Sequence, residues 1–313
     1  MTHLQSPSVL IVGAGSVGLV TGYYFSLAGA QVTYLVRPKR AETLNRPQFL
    51  YSFDKNHLHE FTSYSYLTSP SSILAATYDY ILITLDGKSV QSEEGETLVK
   101  IIGQVTSGGL GFPAYSGKTT SLPVYPPADV ELVKKSDVAY IDNIGNGFIL
   151  DDYVPSISSS FSELYNSCGV SNCVVWSPAQ SALTIFPLFA IFIGLEVLGW
   201  PKTEDIGTES EVWRLTTAAA KEIQTLDICG EAGTQAALST TENTFVQMSA
   251  YLDEKLRPLD YHAFNRYHHG GKVIEQDRMH IERCISQGVA EGKPMPALKH
   301  LLQRISQRDS SYF

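Results

Sequence analysis

The chain is poor in cysteine, and its few cysteines are unsuited to cross-linking. Four occur among 313 residues, and no two have the Cys-x-x-Cys spacing that is typical of zinc and redox sites. They are Cys168, Cys173, Cys229 and Cys284. A disulfide framework is therefore not expected, and we predict a cytoplasmic protein whose cysteines are ordinary packing residues.

Positive charge is also in short supply. The 23 Lys and Arg residues are outnumbered by 32 Asp and Glu residues, which gives a net charge of −9. A chain with this balance is not expected to bind nucleic acid or an anionic membrane surface. The opening residues, MTHLQSPS, lack the basic stretch and apolar core of a secretory signal, so we expect none.

One uncharged stretch, residues 174–195, is apolar enough to resemble a membrane span. Pro178 and Pro187 interrupt it, however, and Glu196 follows directly. We therefore predict a buried helix at a domain junction and no membrane association.

A glycine motif near the start is the most informative feature that the chain does contain. The sequence VLIVGAGSVG, residues 9–18, is an apolar strand that runs into a glycine-rich turn and then into an apolar helix. In a dinucleotide-binding turn the glycines allow a tight bend, close approach of a pyrophosphate and close packing of the helix. The phosphates then lie at a helix N-terminus, which favours anions. The predicted cofactor-binding residues are Gly13, Ala14, Gly15, Ser16, Val17 and Gly18.

The second predicted strand, residues 31–36, ends in a basic loop that contains no carboxylate. NAD sites usually place Asp or Glu there to accept a hydrogen bond from the ribose. Here Arg37, Lys39 and Arg40 suit a 2′-phosphate instead. The predicted cofactor is therefore NADP(H), bound through Arg37, while Lys39 and Arg40 face solvent in the alternative interpretation.

The pattern of the chain changes near residue 172. Before it, strands alternate with helices, and the strong buried strand at residues 78–85 is expected to bring Leu85 to the cofactor. Asp86 then either faces the cofactor or caps the next helix. After it, long helices predominate. The predicted fold class is α/β, with a Rossmann-like doubly wound sheet in residues 1–172 and an all-helical domain in residues 173–313.

The chain resembles the ketopantoate reductase (2-dehydropantoate 2-reductase) family. The resemblance rests on VLIVGAGSVG, Arg37, residues 80–85, Trp176, Pro187-Leu188, residues 259–265 and residues 292–298. It implies an N-terminal Rossmann domain, a helical C-terminal domain and reduction of a 2-keto acid with NADPH, as in pantothenate biosynthesis.

The resemblance also implies that several catalytic groups of the family are replaced in this chain. The family's general-acid lysine falls on Pro178, which can donate no proton. Two asparagines expected further along the same helix fall on Ala182 and Phe186. The family's catalytic glutamate aligns with Asp260 when its neighbouring asparagine is matched to Asn265.

A further departure concerns the sheet. The resemblance implies a helix, a further strand and a loop after residue 88, as in members of the family. Between Lys88 and Gly111 there is room for the helix but hardly for that strand and loop. The first domain is therefore predicted to be shortened after residue 104, by a deletion or by an error in the predicted gene.

Residues 259–278 hold the densest set of polar side chains and the candidates for a replacement acid. Lys272, or a protonated His268 or His269, would supply the proton with Asp260 orienting it. A solvated helix face is the alternative interpretation. The predicted catalytic residues are Asp260, Asn265 and Lys272. A metal site is not predicted, because no Asp or Cys completes a ligand set with the histidines.

The predicted function is that of an NADPH-dependent reductase of a 2-keto acid or related small carbonyl compound. One alternative is a reductase-like protein that acts in a specialised pathway on another, more apolar substrate. The other is a catalytically impaired nucleotide-binding paralogue. The helical half could support a homodimer.

Overall fold

In the computed structural model the chain divides into two compact units, Met1–Val175 and Trp176–Phe313. The first unit contains the strands and the second is helical. The residues that the structure describes are 6–103, 111–113, 116–118, 125–142 and 146–310.

The described strands all begin within the first unit. They are β1 (Ser8–Val12), β2 (Gln31–Leu35), β3 (Gln48–Ser52), β4 (His57–Phe61), β5 (Ser65–Leu67), β6 (Tyr80–Ile83), β7 (Gly111–Pro113), β8 (Ser116–Lys118), β9 (Val138–Ile141), β10 (Phe148–Asp151) and β11 (Cys173–Trp176).

The helices of the described residues run through both units. They are α1 (Ser16–Leu27), α2 (Pro38–Leu44), α3 (Gly87–Gln91), α4 (Glu93–Gly103), α5 (Val130–Lys135), α6 (Pro155–Asn166), α7 (Pro178–Leu198), α8 (Glu211–Gln224), α9 (Gly230–Ser239), α10 (Glu242–Lys255), α11 (Tyr261–Tyr267), α12 (Ile274–Ala290) and α13 (Pro296–Ser310). Short 3-10 turns lie at Pro70–Ala75, Thr203–Asp205 and Asp227–Cys229, and a π-helical turn lies at His268–Lys272.

A parallel sheet of four strands, in the order β5-β2-β1-β6, forms the centre of the first unit. Apolar residues alternate between its two faces. Val9 and Ile11 of β1 pack in the same cluster as Phe25 of α1, whereas Leu10 and Val12 pack with residues of α4 on the other side. Coverage on both faces is typical of a doubly wound sheet.

Two smaller sheets complete this unit. One has the order β4-β3-β9-β8, in which β3 pairs with β9 in parallel and the outer pairs are antiparallel. The other has the order β11-β10-β7. The predicted fold class, a Rossmann-like α/β sheet followed by a helical region, is confirmed.

The parallel sheet has an open side at β6. Among the described residues no strand adjoins the outer edge of β6, and Ile83 there is 38% exposed. The next strand of a complete doubly wound sheet would follow α4. Residues 104–110 lie outside the described residues, so the shortening after residue 104 stays a prediction.

The second unit is built around α7, which packs against α8, α12 and α13. By length and composition α7 is the one helix of the described residues that could cross a membrane. Its fully buried Ala182, Ala190 and Ile193 instead share a core with Trp213 of α8. The helix is thus a core helix, as predicted.

The other long helices after residue 176 also follow the predictions, with two differences. The helix expected over residues 261–273 stops being α-helical at Tyr267 and continues as the π-helical turn at His268–Lys272. There the Val273 N–H donates to the His268 carbonyl oxygen, 2.8 Å away and five residues back. Helix α9 was not predicted, because two glycines weaken its helical propensity.

The contact between α7 and α8 depends on a glycine. A Cβ added at Gly194 would lie 2.1 Å from Oγ1 and 2.5 Å from Cγ2 of Thr216. We expect Gly194→Ala to lower the free energy of unfolding by about 1–3 kcal/mol, since the two helices must separate. Urea denaturation measures this loss, and adding Thr216→Ala should restore part of it.

Gly207→Ala is the matched control, because its Cβ would meet nothing closer than 3.9 Å. Equal stability of the Gly194 variant and this control would contradict the close helix contact.

Candidate functional site

The glycine turn, residues 13–18, joins β1 to α1 in a conformation that requires glycine. Gly13 has a φ of +100°, a region that side chains rarely adopt. Its N–H donates to the Leu35 carbonyl oxygen, 3.0 Å away, which ties the turn to the end of β2. The turn is therefore fixed by two neighbouring strands.

Gly18 and Gly15 differ in what a side chain would meet. A Cβ at Gly18 would lie 2.1 Å from the Gly13 carbonyl oxygen, so α1 packs on the turn only because position 18 has no side chain. Gly15 is exposed, and a Cβ there would meet no described atom within 4 Å. The space beside Gly15 is thus open to a ligand.

That open space lies at the N-terminus of α1. Ser16 and Val17 form its first turn, which carries no acidic residue. A helix N-terminus of this kind attracts anions through its N–H groups and its dipole. The residues present therefore fit the pyrophosphate of a dinucleotide.

Thr84 and Leu85 follow β6 and pack against the turn. The Thr84 hydroxyl lies 3.0 Å from the carbonyl oxygens of both Val12 and Gly13. Leu85 Cδ2 would lie 3.0 Å from a Cβ at Gly13. Leu85 is thus beside the turn, as its predicted place near the cofactor requires.

Two arginines take different positions beside the turn. Arg40 donates from Nε and Nη2 to the Ala14 carbonyl oxygen, at 3.1 and 2.7 Å. Arg37 is the N-cap residue of α2 and is exposed, like Lys39. Sequence reasoning favoured Arg37, and the structure adds that Arg40 binds the turn instead of facing solvent alone.

Asp86 caps the helix that follows β6. Its Oδ1 accepts a hydrogen bond from the Ser89 N–H at 2.8 Å, and its Oδ2 accepts one from the Ser89 hydroxyl at 2.7 Å. The capping interpretation of Asp86 is therefore the one that the structure bears out.

In the helical unit, Pro178 occupies the first position of α7. The Ser177 hydroxyl caps the helix by accepting a hydrogen bond from the Gln180 N–H at 3.2 Å. Proline suits this position because its missing N–H would have no partner within the helix. Ala182 is fully buried, and Phe186 packs against the same core.

Two of the predicted catalytic residues lie on α11. Asp260 is its N-cap and accepts a hydrogen bond from the Ala263 N–H at 2.8 Å. Asn265 is buried, and burial also raises the pKa of the Tyr261 hydroxyl on the same helix. The Asp260 side chain therefore caps α11, whereas Asn265 lies on its buried face.

The π-helical turn changes the spacing that sequence analysis assumed. His268 stacks on Phe264, with ring centroids 5.4 Å apart, whereas His269 stacks on Phe192 of α7 at 3.5 Å. Lys272 is exposed at the end of the turn. Gly270 allows the turn to approach the end of α7, because a Cβ there would lie 3.0 Å from Oε2 of Glu196 and 2.6 Å from Nε1 of Trp200, which follows α7.

Sequence reasoning missed Asp277 of α12. Its Oδ2 lies 2.8 Å from Nδ1 of His269. A signal was available, since Asp277 shares a buried stripe with Ile281, Cys284 and Gly288. A carboxyl group in an apolar stripe is rarely buried without a partner.

The cysteines behave as predicted. All four are free and buried. Burial raises the pKa of Cys173 and of Cys229 to about 11, which leaves these thiols unreactive near neutral pH. Among the residues that the structure describes, no group of three His, Cys, Asp or Glu side chains could hold a metal ion.

Comparison with known proteins gives one family. Residues 9–106 match the family model described as ketopantoate reductase PanE/ApbA. A search of curated protein sequences gives no significant match. The family match ends within the stretch where sequence analysis places the departure from the usual sheet.

Solved structures resemble the chain over nearly its whole length. The 2-dehydropantoate 2-reductase of Geobacter metallireducens GS-15 is 16% identical, with a TM-score of 0.62 over 96% of this chain and 99% of that one. The enzyme of Methylococcus capsulatus is 14% identical, with a TM-score of 0.63 over 97% of each chain. A complex of D-mandelate dehydrogenase with NADH is 10% identical, with a TM-score of 0.59 over 97% of this chain and 99% of that one.

The two glycines of the turn make a testable contrast. We expect Gly18→Ala to lower the free energy of unfolding by about 1–3 kcal/mol, because its Cβ meets rigid backbone. Gly15→Ala should change it by no more than about 0.5 kcal/mol, because its Cβ meets open space. Thermal denaturation measures both, and a Gly15 variant as unstable as the Gly18 variant would contradict the assigned geometry.

Proposed function

We propose that the protein is an NADPH-dependent reductase, because residues 9–106 match the ketopantoate reductase family model and the chain has the fold of solved 2-dehydropantoate 2-reductases. Its substrate is a 2-keto acid or a related small carbonyl compound. The observation that carries this proposal is the glycine turn, which leaves open space beside Gly15 at the N-terminus of α1. When bound, the reduced nicotinamide supplies the hydride that adds to the carbonyl carbon.

Different residues of the chain contact different parts of the proposed cofactor. The N–H groups of the glycine turn face the pyrophosphate, and Leu85 packs beside the turn towards the nicotinamide. Arg37 contacts the 2′-phosphate, for which an exposed guanidinium is well suited. Arg40 supports the turn through the Ala14 carbonyl oxygen.

These roles are tested by comparing the two cofactors. We expect Arg37→Ala to weaken NADPH binding about 10- to 100-fold, the value of a charge-assisted contact, and to leave NADH binding unchanged. Arg40→Ala should weaken both, since the turn itself loosens. Fluorescence titration measures the dissociation constants, with Lys39→Ala as the control. Equal weakening of NADPH and NADH by Arg37→Ala would exclude the 2′-phosphate contact.

Asp260, Asn265 and Lys272 are the residues that we propose to act on the substrate. Lys272 is exposed, whereas a lysine tuned to act as an acid near neutral pH is usually buried. Its exposed ammonium group suits attraction of the substrate carboxylate. Asp260 caps the helix that precedes it, and Asn265 lies buried on that helix.

The Lys272→Met variant tests whether Lys272 attracts the substrate carboxylate or donates the proton. We expect Lys272→Met to raise KM for a 2-keto acid about tenfold and to leave kcat nearly unchanged. Steady-state NADPH oxidation measures both. Lys255→Met, which removes another exposed lysine of the same unit, is the control. A fall in kcat at constant KM would make Lys272 the acid, and no change at all would remove it from the site.

The second candidate function is nucleotide binding with another reaction or none. Pro178 favours it, because the family's acid is absent there, as do the apolar Ala182 and Phe186. Titration with NADPH and then addition of ketopantoate and a panel of keto acids decides between the two. Turnover supports the reductase, and saturable binding without turnover supports the second candidate.

A further inference from the structure

A loop rich in hydroxyl groups follows β5 of the parallel sheet. Its sequence, residues 68–72, is TSPSS, and we call it the hydroxyl loop. Strands β2 and β5 are parallel neighbours, with Leu35 opposite Leu67. Since the carboxyl ends of parallel strands lie at the same end of a sheet, the hydroxyl loop begins next to Arg37, which follows β2.

The two segments separate just beyond one backbone hydrogen bond. The Val36 N–H donates to the Leu67 carbonyl oxygen, 2.9 Å away. Among the described residues, no backbone hydrogen bond joins the two segments beyond it. Neighbouring strands lie about 4.8 Å apart, so Arg37 and Thr68 leave the sheet at about this separation. A ligand that binds outside the carboxyl ends of the strands therefore meets both segments.

The hydroxyl loop is fixed at both ends by apolar packing. Leu67 before it packs against residues of β1 and β2, and Ile73 after it is fully buried in the same cluster. The Ser72 N–H donates to the Ser69 carbonyl oxygen at 3.1 Å, and Pro70 restricts the backbone between them. The loop therefore holds its hydroxyl groups at the end of the sheet before any ligand binds.

The side chains of this loop are not used to cap the turn that it begins. Thr68, Ser69 and Ser71 are exposed. Ser69 is the N-cap residue of the 3-10 turn, where a serine usually accepts a hydrogen bond from a backbone N–H, but its side chain makes no such bond. Its Oγ lies 2.8 Å from Oγ of Ser71 instead. Two adjacent hydroxyls of this kind can both donate to one anionic group.

The charge around these segments favours an anion. Residues 62–78 contain no Asp or Glu, and neither do residues 30–41, whose charged side chains are all basic. Asp79 lies at the opposite end of the strands, where its Oδ2 accepts a hydrogen bond from the Ser8 N–H at 2.7 Å. A phosphate group beside Arg37 and the hydroxyl loop would therefore meet no carboxylate from either segment.

We propose that Ser69 and Ser71 bind the 2′-phosphate of the cofactor together with Arg37. The inference rests on the proposed function, which requires NADP(H). The guanidinium group of Arg37 neutralises the phosphate, and the two hydroxyls donate hydrogen bonds to its oxygens. NADH has a ribose hydroxyl in place of this phosphate and gains no such charge-assisted bonds. The preference for NADP(H) is thus set by two neighbouring strands and not by the basic loop alone.

Removing both hydroxyls tests this role. We expect the double variant Ser69→Ala, Ser71→Ala to weaken NADPH binding about tenfold, because it loses hydrogen bonds to a charged group, and to leave NADH binding unchanged. Fluorescence titration of the full-length protein measures both dissociation constants. Since both serines are exposed, thermal denaturation should show no loss of stability. Ser63→Ala is the matched control, because it removes an exposed serine before the other end of β5.

A second titration asks whether the hydroxyls and Arg37 contact the same group. In protein that carries Arg37→Ala, the same double substitution should weaken NADPH binding by less than about threefold, because the phosphate is no longer held against the loop. A loss as large as that seen beside an intact Arg37 would place the hydroxyls on another part of the cofactor and overturn the shared contact.

Failure of this inference and failure of the proposed function give different results. If the wild-type protein prefers NADPH to NADH and the double variant binds NADPH equally well, the role of the hydroxyl loop is overturned and the proposed function stands. Equal weakening of NADPH and NADH by the double variant also overturns it, since the hydroxyls would then act on a part that both cofactors share. A wild-type protein that binds neither cofactor, or both equally well, overturns the proposed cofactor and the role of the loop with it.

Discussion

The close approach of α1 to the end of β1 is the constraint on which the first unit depends. Helix α1 passes so close to the Gly13 carbonyl oxygen, just after β1, that there is no room for a side chain at Gly18. Three strands meet at this point. From β2, the Leu35 carbonyl oxygen accepts a hydrogen bond from the Gly13 N–H, and the Tyr34 hydroxyl donates to the Gly18 carbonyl oxygen. Thr84, which follows β6, contacts the carbonyl oxygens of Val12 and Gly13 at the end of β1. The same approach leaves open space at the N-terminus of α1, so the packing of this helix also creates the space that the proposed cofactor would occupy.

Much of this unit could be predicted from the sequence, because its signals are local. Residues 9–18 contain the strand, the turn and the helix start within one short segment. The role of Arg40 could not be predicted in this way, since its partner is a backbone carbonyl at Ala14 that only the folded chain brings near. The sequence allowed Asp86 either to face the cofactor or to cap the next helix, and only the folded chain shows the hydrogen bond from the Ser89 N–H that makes it a cap.

The helical unit was predictable in its elements and not in its chemistry. Periodicity located α7, α8 and α12, but it also extended a regular helix through residues 268–272. One π-helical turn shifts every later side chain relative to that expectation. As a result His269 meets Phe192 and Asp277, which the assumed helix face did not place beside it.

Pro178 lies at a position where the fold tolerates exchange. The first position of a helix makes no demand for an N–H, and the Ser177 hydroxyl caps α7 whatever residue follows. An exchange between lysine and proline there alters neither the helix nor its core. The side chain at position 178 can therefore change at little cost to the fold, so that function, and not packing, decides which residue suits it.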